Sequence, residues 1–221
     1  MTPNRIGGST EWAFARLSPD ERGHAERLED PVRRARYAIV RAALRQLLGR
    51  YTDRDPSQIR FAYGRTGKPR LVDAPVDFNV SHSGDLTIVA LARNTTVGVD
   101  VERRRRSFRA GDVANRLFHK EEREQLTALP DADLPGAVLR CWTIKEAVGK
   151  AIGLSLGQLL REVVVDADPT TPPRLLRVGG NRAPEHWTIN QMSLVERRAL
   201  VAIAAPVPEV RLEPIRRFHL P

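Results

Sequence analysis

Residues 97–102 read Val97-Gly98-Val99-Asp100-Val101-Glu102. Side chains on a β-strand alternate between its two faces, so this stretch sorts three valines to one side and a glycine with two carboxylates to the other. Carboxylates held that close repel unless a cation or a proton lies between them, and carboxylate oxygens are what magnesium takes when substrate phosphates complete its shell. Gly98 has no side chain, which leaves room on the acidic face for a ligand to approach. The spacing suits equally an edge strand whose polar face lies in water, and alone it does not choose.

Upstream, residues 86–92 are also rich in Val, Ile and Leu, and Arg93-Asn94-Thr95-Thr96 is short enough for a hairpin loop, so 86–92 and 97–101 are expected to pair antiparallel. Phe78-Asn79-Val80-Ser81-His82-Ser83-Gly84-Asp85 precedes them. Hydroxyls, an imidazole and turn amides at a strand start suit phosphate oxygens, and a plain turn explains them as well. Ile59 to Tyr63 alternates as a short strand, and Gly64 to Arg70 is a turn. Residues 30–49 put Tyr37, Val40, Leu44, Leu47 and Leu48 on one helical stripe, with Pro31 in the first turn and Gly49 as the stop. Arg33, Arg34, Arg36, Arg41 and Arg45 then form a solvated face.

Downstream, the basic run Arg103 to Arg106 marks a junction between two halves, 1–104 and 105–221. Helices are expected over 119–129, stopped by Pro130, and over 133–152, broken by Gly153. In the second, Trp142, Glu146 and Lys150 fall at i, i+4 and i+8 and share a face. Glu and Lys at that spacing are commonly a surface ion pair worth about 0.3–0.5 kcal/mol. Lysine is scarce, however: the chain has four, Lys68, Lys120, Lys145 and Lys150, and two lie here beside a tryptophan. Strands are expected over 162–166, 174–178, 186–190 and 200–204, with a Gly179-Gly180-Asn181 turn and an extended tail from Pro206. Residues 197–206 resemble 86–94 in composition, as two related halves would.

The 221 residues allow one large domain or two modest ones, and 41% hydrophobic with 29% charged residues is ordinary for a globular chain. Cys141 is the one cysteine, so no internal disulfide and no thiolate metal centre is available. With no secretory pattern at the start and no long apolar run, a cytoplasmic protein without a membrane span is expected. The formal charge of +9 implies a polyanionic partner: nucleic acid, an acidic protein surface or a phosphate-rich ligand. A noncatalytic nucleic-acid binder is the contrasting possibility, opposed by 5% aromatics and the paired carboxylates. No G-x-S-x-G elbow, Walker loop or G-x-G-x-x-G run is present.

Gly67-Lys68-Pro69, the Phe78 to Gly84 stretch, Val97 to Glu102 and Trp142 to Lys150 together resemble the 4'-phosphopantetheinyl transferases of the surfactin-synthetase type. The resemblance implies an α+β pseudodimer of two similar lobes, each a small mainly antiparallel sheet with a long helix, and a monomeric state. It implies coenzyme A as co-substrate, Mg2+ as cofactor and apo acyl or peptidyl carrier proteins as partners, with phosphopantetheine passed to a carrier serine and adenosine 3',5'-bisphosphate released. Asp100, Glu102 and Glu146 match the metal ligands; Glu146, Lys150 and Glu122 match catalytic positions, with Glu121 adjacent to the last. Lys68, the Pro69 backbone, Ser81 and His82 match positions around the nucleotide, and Arg36 a basic residue near its 3'-phosphate; Arg70 joins them on chemistry alone. Lys150 also suits the pyrophosphate. Where the family often has phosphate-reaching lysines, this chain has Arg22 and His24. The Arg103 to Arg106 run and the segment to Leu129, with Phe108 and Leu117, are the expected carrier surface.

Overall fold

A computed structural model of the chain describes residues 6–64, 66–104, 109–179, 182–214 and 216, the side chains of 6–9 and 197 excepted. In chain order its elements are α1 (Ile6–Phe14), α2 (Pro19–Glu26), α3 (Pro31–Thr52), β1 (Phe61–Tyr63), β2 (Pro69–Leu71), β3 (Val76–Ser83), β4 (Leu86–Arg93), β5 (Gly98–Arg103), α4 (Ala110–Leu117), α5 (Lys120–Thr127), α6 (Leu134–Ile152), α7 (Leu156–Glu162), β6 (Val164–Val165), β7 (Leu175–Arg177), β8 (Thr188–Leu194) and β9 (Ala199–Ala205). This is an α+β fold whose β3–β4, β5–β9–β8 and β6–β7 ladders are antiparallel. Among the described residues no helix is long and apolar enough to cross a membrane. Contacts group the chain into two compact units, Met1–Phe61 with Leu71–Ala74 and Leu212–Pro221, and Ala62–Arg70 with Pro75–Arg211. The 104/105 junction lies inside the second unit, because β5 before it is laddered to β9 after it.

In the first unit α3 starts as expected: Asp30 accepts the Val32 N–H and Pro31 opens the first turn. It does not stop at Gly49. That glycine is needed for packing, since a Cβ there would stand 2.7 Å from the Arg54 carbonyl, and the helix runs on to a left-handed Asp53. Leu44 and Leu48 are buried, as the stripe required, but so are Arg41 and Arg45, which the pattern assigned to solvent. Both answer Glu21 of α2, with Arg41 Nη2 2.7 Å from one carboxylate oxygen and Arg45 Nε 2.7 Å from the other. Arg45 also donates to the Pro56 and Ile59 carbonyls at 3.0 Å. Burial pushes the Glu21 carboxyl up, and Arg45, the Ser18 N–H and Arg41 together hold it below its usual value.

In the second unit the hairpin is β3–β4, turned by Gly84 at φ 62° and Asp85, and not the expected pair of 86–92 with 97–101. No ladder joins β4 to β5; the link between them closes the hairpin's far end through the Asn94 N–H, which donates to the Pro75 carbonyl at 3.0 Å. One edge of β5 pairs with β9 from Gly98↔Ala204 to Arg103↔Ala199. Along its other edge the Val97, Val99, Val101 and Arg103 N–H groups donate to side chains of β3: Asp77, Asn79, Ser81 and Ser83, at 2.8–3.3 Å. The alternation read from the sequence holds, with Val97, Val99 and Val101 in one apolar cluster with Ala90 and Val201. The opposite face meets α6. A Cβ at Gly98 would lie 1.8 Å from the Ala147 carbonyl, so the space expected for a ligand is filled by helix backbone.

Two stability outcomes follow. Glu21→Gln leaves two buried guanidinium groups without their carboxylate and is expected to cost about 3–5 kcal/mol in urea unfolding. A carboxyl held below its unfolded value of 4.5 binds fewer protons in the folded state, so the Glu21 contribution is present above pH 4.5 and lost as pH falls below it. Gly98→Ala drives a methyl into the α6 backbone and is expected to cost at least about 3 kcal/mol in the same assay.

Candidate active site

The acidic face of β5 and the C-terminal half of α6 bring four predicted residues together. Asp100, almost fully buried, accepts on Oδ1 from Lys150 Nζ at 2.6 Å and from Ser81 Oγ at 2.9 Å. Ser81 in turn accepts from Lys150 Nζ at 3.1 Å and from the Val101 N–H at 3.3 Å. Glu102 Oε2 accepts from Ser83 Oγ at 3.0 Å, and Glu146 Oε2 lies 3.9 Å from Lys150 Nζ. Burial pushes the Glu146 carboxyl up; Lys150 opposes this, while Asp100 and Glu102 add to it. Two carboxylates, Asp100 and Glu146, thus share one ammonium, and Glu102 adds a third negative charge close to Glu146. Such a group suits taking a proton from an incoming hydroxyl, or facing a cation.

Among the described residues no three acidic, histidine or cysteine side chains stand close enough to cage a metal alone. Asp100 Oδ2 is nevertheless buried without a hydrogen-bond partner, beside two more carboxylates. Hard oxygen donors with one orphaned lone-pair set fit a magnesium ion that takes one or two carboxylates and completes its shell from phosphate and water.

Other expected residues lie elsewhere or are already engaged. Lys68 does not present its ammonium outward: Nζ donates to Asp77 Oδ2 at 2.6 Å and to the Val97 and Ala151 carbonyls at 3.1 Å each. Pro69 is half-buried at the start of β2, and Arg70 and His82 are exposed. Arg36 is on α3 in the first unit, its Nη2 buried with no hydrogen-bond partner. In the same unit Arg22 donates to the Phe14 carbonyl at 3.1 Å, and the His24 ring packs tilted against Tyr37, 4.7 Å between centroids.

Glu122 is no free acid. It and Lys145 are both fully buried, with Lys145 Nζ 2.9 Å from each carboxylate oxygen; the Val165 and His119 N–H groups donate to the same oxygens at 2.8 Å, and Lys145 also donates to the Val163 carbonyl. Glu122 is the third residue of α5, and its carboxylate reaches back to the His119 N–H at the start of that helix. Glu121 beside it is exposed, near His119 and Arg177. The spacing of Trp142, Glu146 and Lys150 says nothing of Lys145. One position from Glu146 it faces the other side of α6, where burial pushes its ammonium down and Glu122 counters. Of the expected carrier surface, Leu117 is half-buried and Arg104 exposed, while Arg105, Arg106 and Phe108 lie outside the described residues.

Residues 96–204, which hold β5, α6 and their partner β9, match the family model described as the ACPS 4'-phosphopantetheinyl transferase superfamily. The chain is 36% identical over 165 residues to the 4'-phosphopantetheinyl transferase HetI of Nostoc sp., covering 73% of this chain and 69% of that one. It is 33% identical over 159 residues to the 4'-phosphopantetheinyl transferase AcpT of Escherichia coli (strain K12), covering 70% and 75%. It is 29% identical over 141 residues to the 4'-phosphopantetheinyl transferase Sfp of Bacillus subtilis, covering 63% and 62%. The protein is therefore an enzyme, a transferase. The chain belongs to the 4'-phosphopantetheinyl transferase superfamily, and the noncatalytic nucleic-acid-binding alternative is set aside.

Because Glu146 is held above 4.5 by burial and two neighbouring carboxylates against one lysine, its 13C-carboxyl titration is expected above that value. Lys150→Met should move it further up and Asp100→Asn should move it down.

Proposed function

We propose that the protein transfers the 4'-phosphopantetheine arm of coenzyme A to a serine hydroxyl of apo acyl or peptidyl carrier proteins, with Mg2+, releasing adenosine 3',5'-bisphosphate. The observation that carries this is the cluster on β5 and α6, in which Asp100, Glu102 and Glu146 outnumber the single ammonium of Lys150 and Asp100 keeps an orphaned oxygen. The carrier serine Oγ attacks the β-phosphorus of the coenzyme A pyrophosphate. A new Ser O–P bond forms, the P–O bond to the oxygen bridging toward the α-phosphorus breaks, and that oxygen leaves with the nucleotide. Glu146, its carboxyl raised by burial, takes the serine proton directly or through a water. Lys150 donates to the departing phosphate, a position in which its hydrogen bonds to Asp100 and Ser81 hold it. Asp100, Glu102 and Glu146 would hold the magnesium ion, which when bound neutralises charge on the pyrophosphate.

For coenzyme A itself, the Pro69 backbone, Arg70, Ser81, His82 and Arg36 remain the proposed contacts. The unpartnered Nη2 of Arg36 suits a phosphate oxygen. Neither the Lys68 ammonium nor Glu122 takes part, since their hydrogen-bonding capacity is spent within the protein. Carrier proteins of polyketide and nonribosomal peptide synthesis, the surfactin-type specificity, are the proposed partners. The exposed basic residues Arg104, Arg109, Arg116 and Lys120 support an acidic partner surface. A monomeric pseudodimer with lobes 1–104 and 105–221 belongs to the same proposal. It is supported by the repeated order of a long helix and then an antiparallel hairpin, α3 before β3–β4 and α6 before β8–β9. A cytoplasmic location fits the buried free thiol of Cys141, which burial and Glu122 push up to about 12.

Purified protein with coenzyme A, magnesium and an apo carrier domain is expected to give a carrier mass gain of one phosphopantetheine; no gain on any of the fatty-acid, polyketide and peptide carriers would sink the proposal. Asp100→Ala should lower kcat by about 10²–10³, with a much smaller change in coenzyme A affinity.

A further inference from the structure

Lys68 is engaged in a way its sequence context does not announce. An ammonium has three N–H donors, and here they go to a carboxylate on β3, the carbonyl of Val97 just before β5, and the Ala151 carbonyl on α6. Asp77 completes the arrangement by accepting the Val97 N–H at 2.8 Å, so both backbone groups of Val97 are satisfied by two side chains that are themselves an ion pair. Ala151 lies in the last turn of α6, where carbonyls lack intrahelical donors and the helix dipole is negative; a cation there is favoured on both counts.

The same helical turn is met from two more directions. A Cβ on Gly98 would stand 2.5 Å from the Ala151 nitrogen, so β5 presses directly on it. A Cβ on Gly153, the left-handed cap of α6, would lie 3.0 Å from Thr66 Oγ1, in the turn that carries Lys68. Lys150 immediately precedes Ala151, and from there its ammonium reaches Asp100 and Ser81. The turn before β2 is therefore tied by Lys68 to the last turn of α6, one residue away from the lysine of the acidic cluster, and lies close to the same helix end again at Gly153.

We infer that Lys68 is a positioning residue: by holding the Ala151 carbonyl and the start of β5 together, it sets the reach of Lys150 to Asp100 and touches no substrate itself. This rests on the proposed transfer from coenzyme A.

The test compares Lys68→Met, Lys150→Met and the double variant with the unmodified protein, in turnover and in calorimetric binding of coenzyme A and 3'-dephospho-coenzyme A. Lys68→Met is expected to lower kcat about 10- to 100-fold, the loss that an ångström-scale misplacement produces. The ratio of the two ligands' affinities should stay unchanged, and the double variant should be no slower than Lys150→Met alone. An unchanged kcat per folded molecule, or fully additive losses, would overturn the inference. So would a collapsed affinity ratio, which would put the Lys68 ammonium on the 3'-phosphate. Independently of turnover, the 15N signal of the Lys150 ammonium, protected by Asp100 and Ser81, should be lost in Lys68→Met, and its persistence would also overturn the inference. Should Lys68→Met not fold, Asp77→Asn removes only the countercharge and should show the same losses in smaller degree; no loss there counts against it. An unmodified protein that transfers nothing would instead defeat the proposed function, with the 15N comparison still deciding on Lys68.

Discussion

A strand must find partners for the N–H groups on both of its edges, and β5 does so in two different ways. One edge is an ordinary antiparallel ladder with β9. On the other edge its amides are received by side chains of β3, each acceptor twenty residues before its donor. The two strands therefore run in the same sense, with short polar side chains standing where carbonyls would be, and β3 keeps its backbone for β4. The arrangement fixes the rotation of β5. With the valines committed to their apolar cluster, Asp100 and Glu102 have no choice of face and are held toward α6. Ser81 serves both sides of this constraint, accepting the Val101 N–H while donating to Asp100.

Three other sets of charges inside the described residues are matched closely. Glu122 is answered by Lys145, Asp77 by Lys68, and Glu21 by two arginines, and each set also takes backbone groups. These are closed arrangements in which the desolvation of each ion is offset by its partners. The cluster on β5 and α6 is different in stoichiometry: three carboxylates are grouped around one lysine, one oxygen is left over, and Glu146 is pushed up by burial first and by Asp100 and Glu102 in addition. Excess negative charge of that kind is unfavourable for folding and useful for chemistry, which separates this cluster from the structural pairs more sharply than burial alone.

How far the sequence carried depended on which physical signal was local. The alternation of Val97 to Glu102 and the helical spacing of Trp142, Glu146 and Lys150 are local, and they assign Asp100 and Glu102 to a strand and Glu146 and Lys150 to a helix, as the structure has them. The glycine between them was misread, because an absent Cβ makes room without saying for what; at Gly98 it is the Ala147 carbonyl. Strand pairing is non-local, and the choice of β3 over β5 as the partner of β4 turned on acceptors in β3 that look like an ordinary polar face. Charged residues misled in the same way. Arg41, Arg45, Lys68 and Glu122 have the composition of a solvated or ligand-facing surface, and only the positions of Glu21, Asp77 and Lys145 in space show that they face inward.

The seam between β3 and β5 has a consequence for how this protein tolerates change over generations. A backbone ladder is indifferent to the residues that form it, so the sequence of an ordinary sheet edge can drift while its hydrogen bonds persist. Here four of those bonds are written in side chains, at Asp77, Asn79, Ser81 and Ser83, and an exchange of any of them for a larger or apolar residue leaves an amide of β5 without an acceptor. Genetic variation in β3 is thereby answerable to the strand that carries the carboxylates.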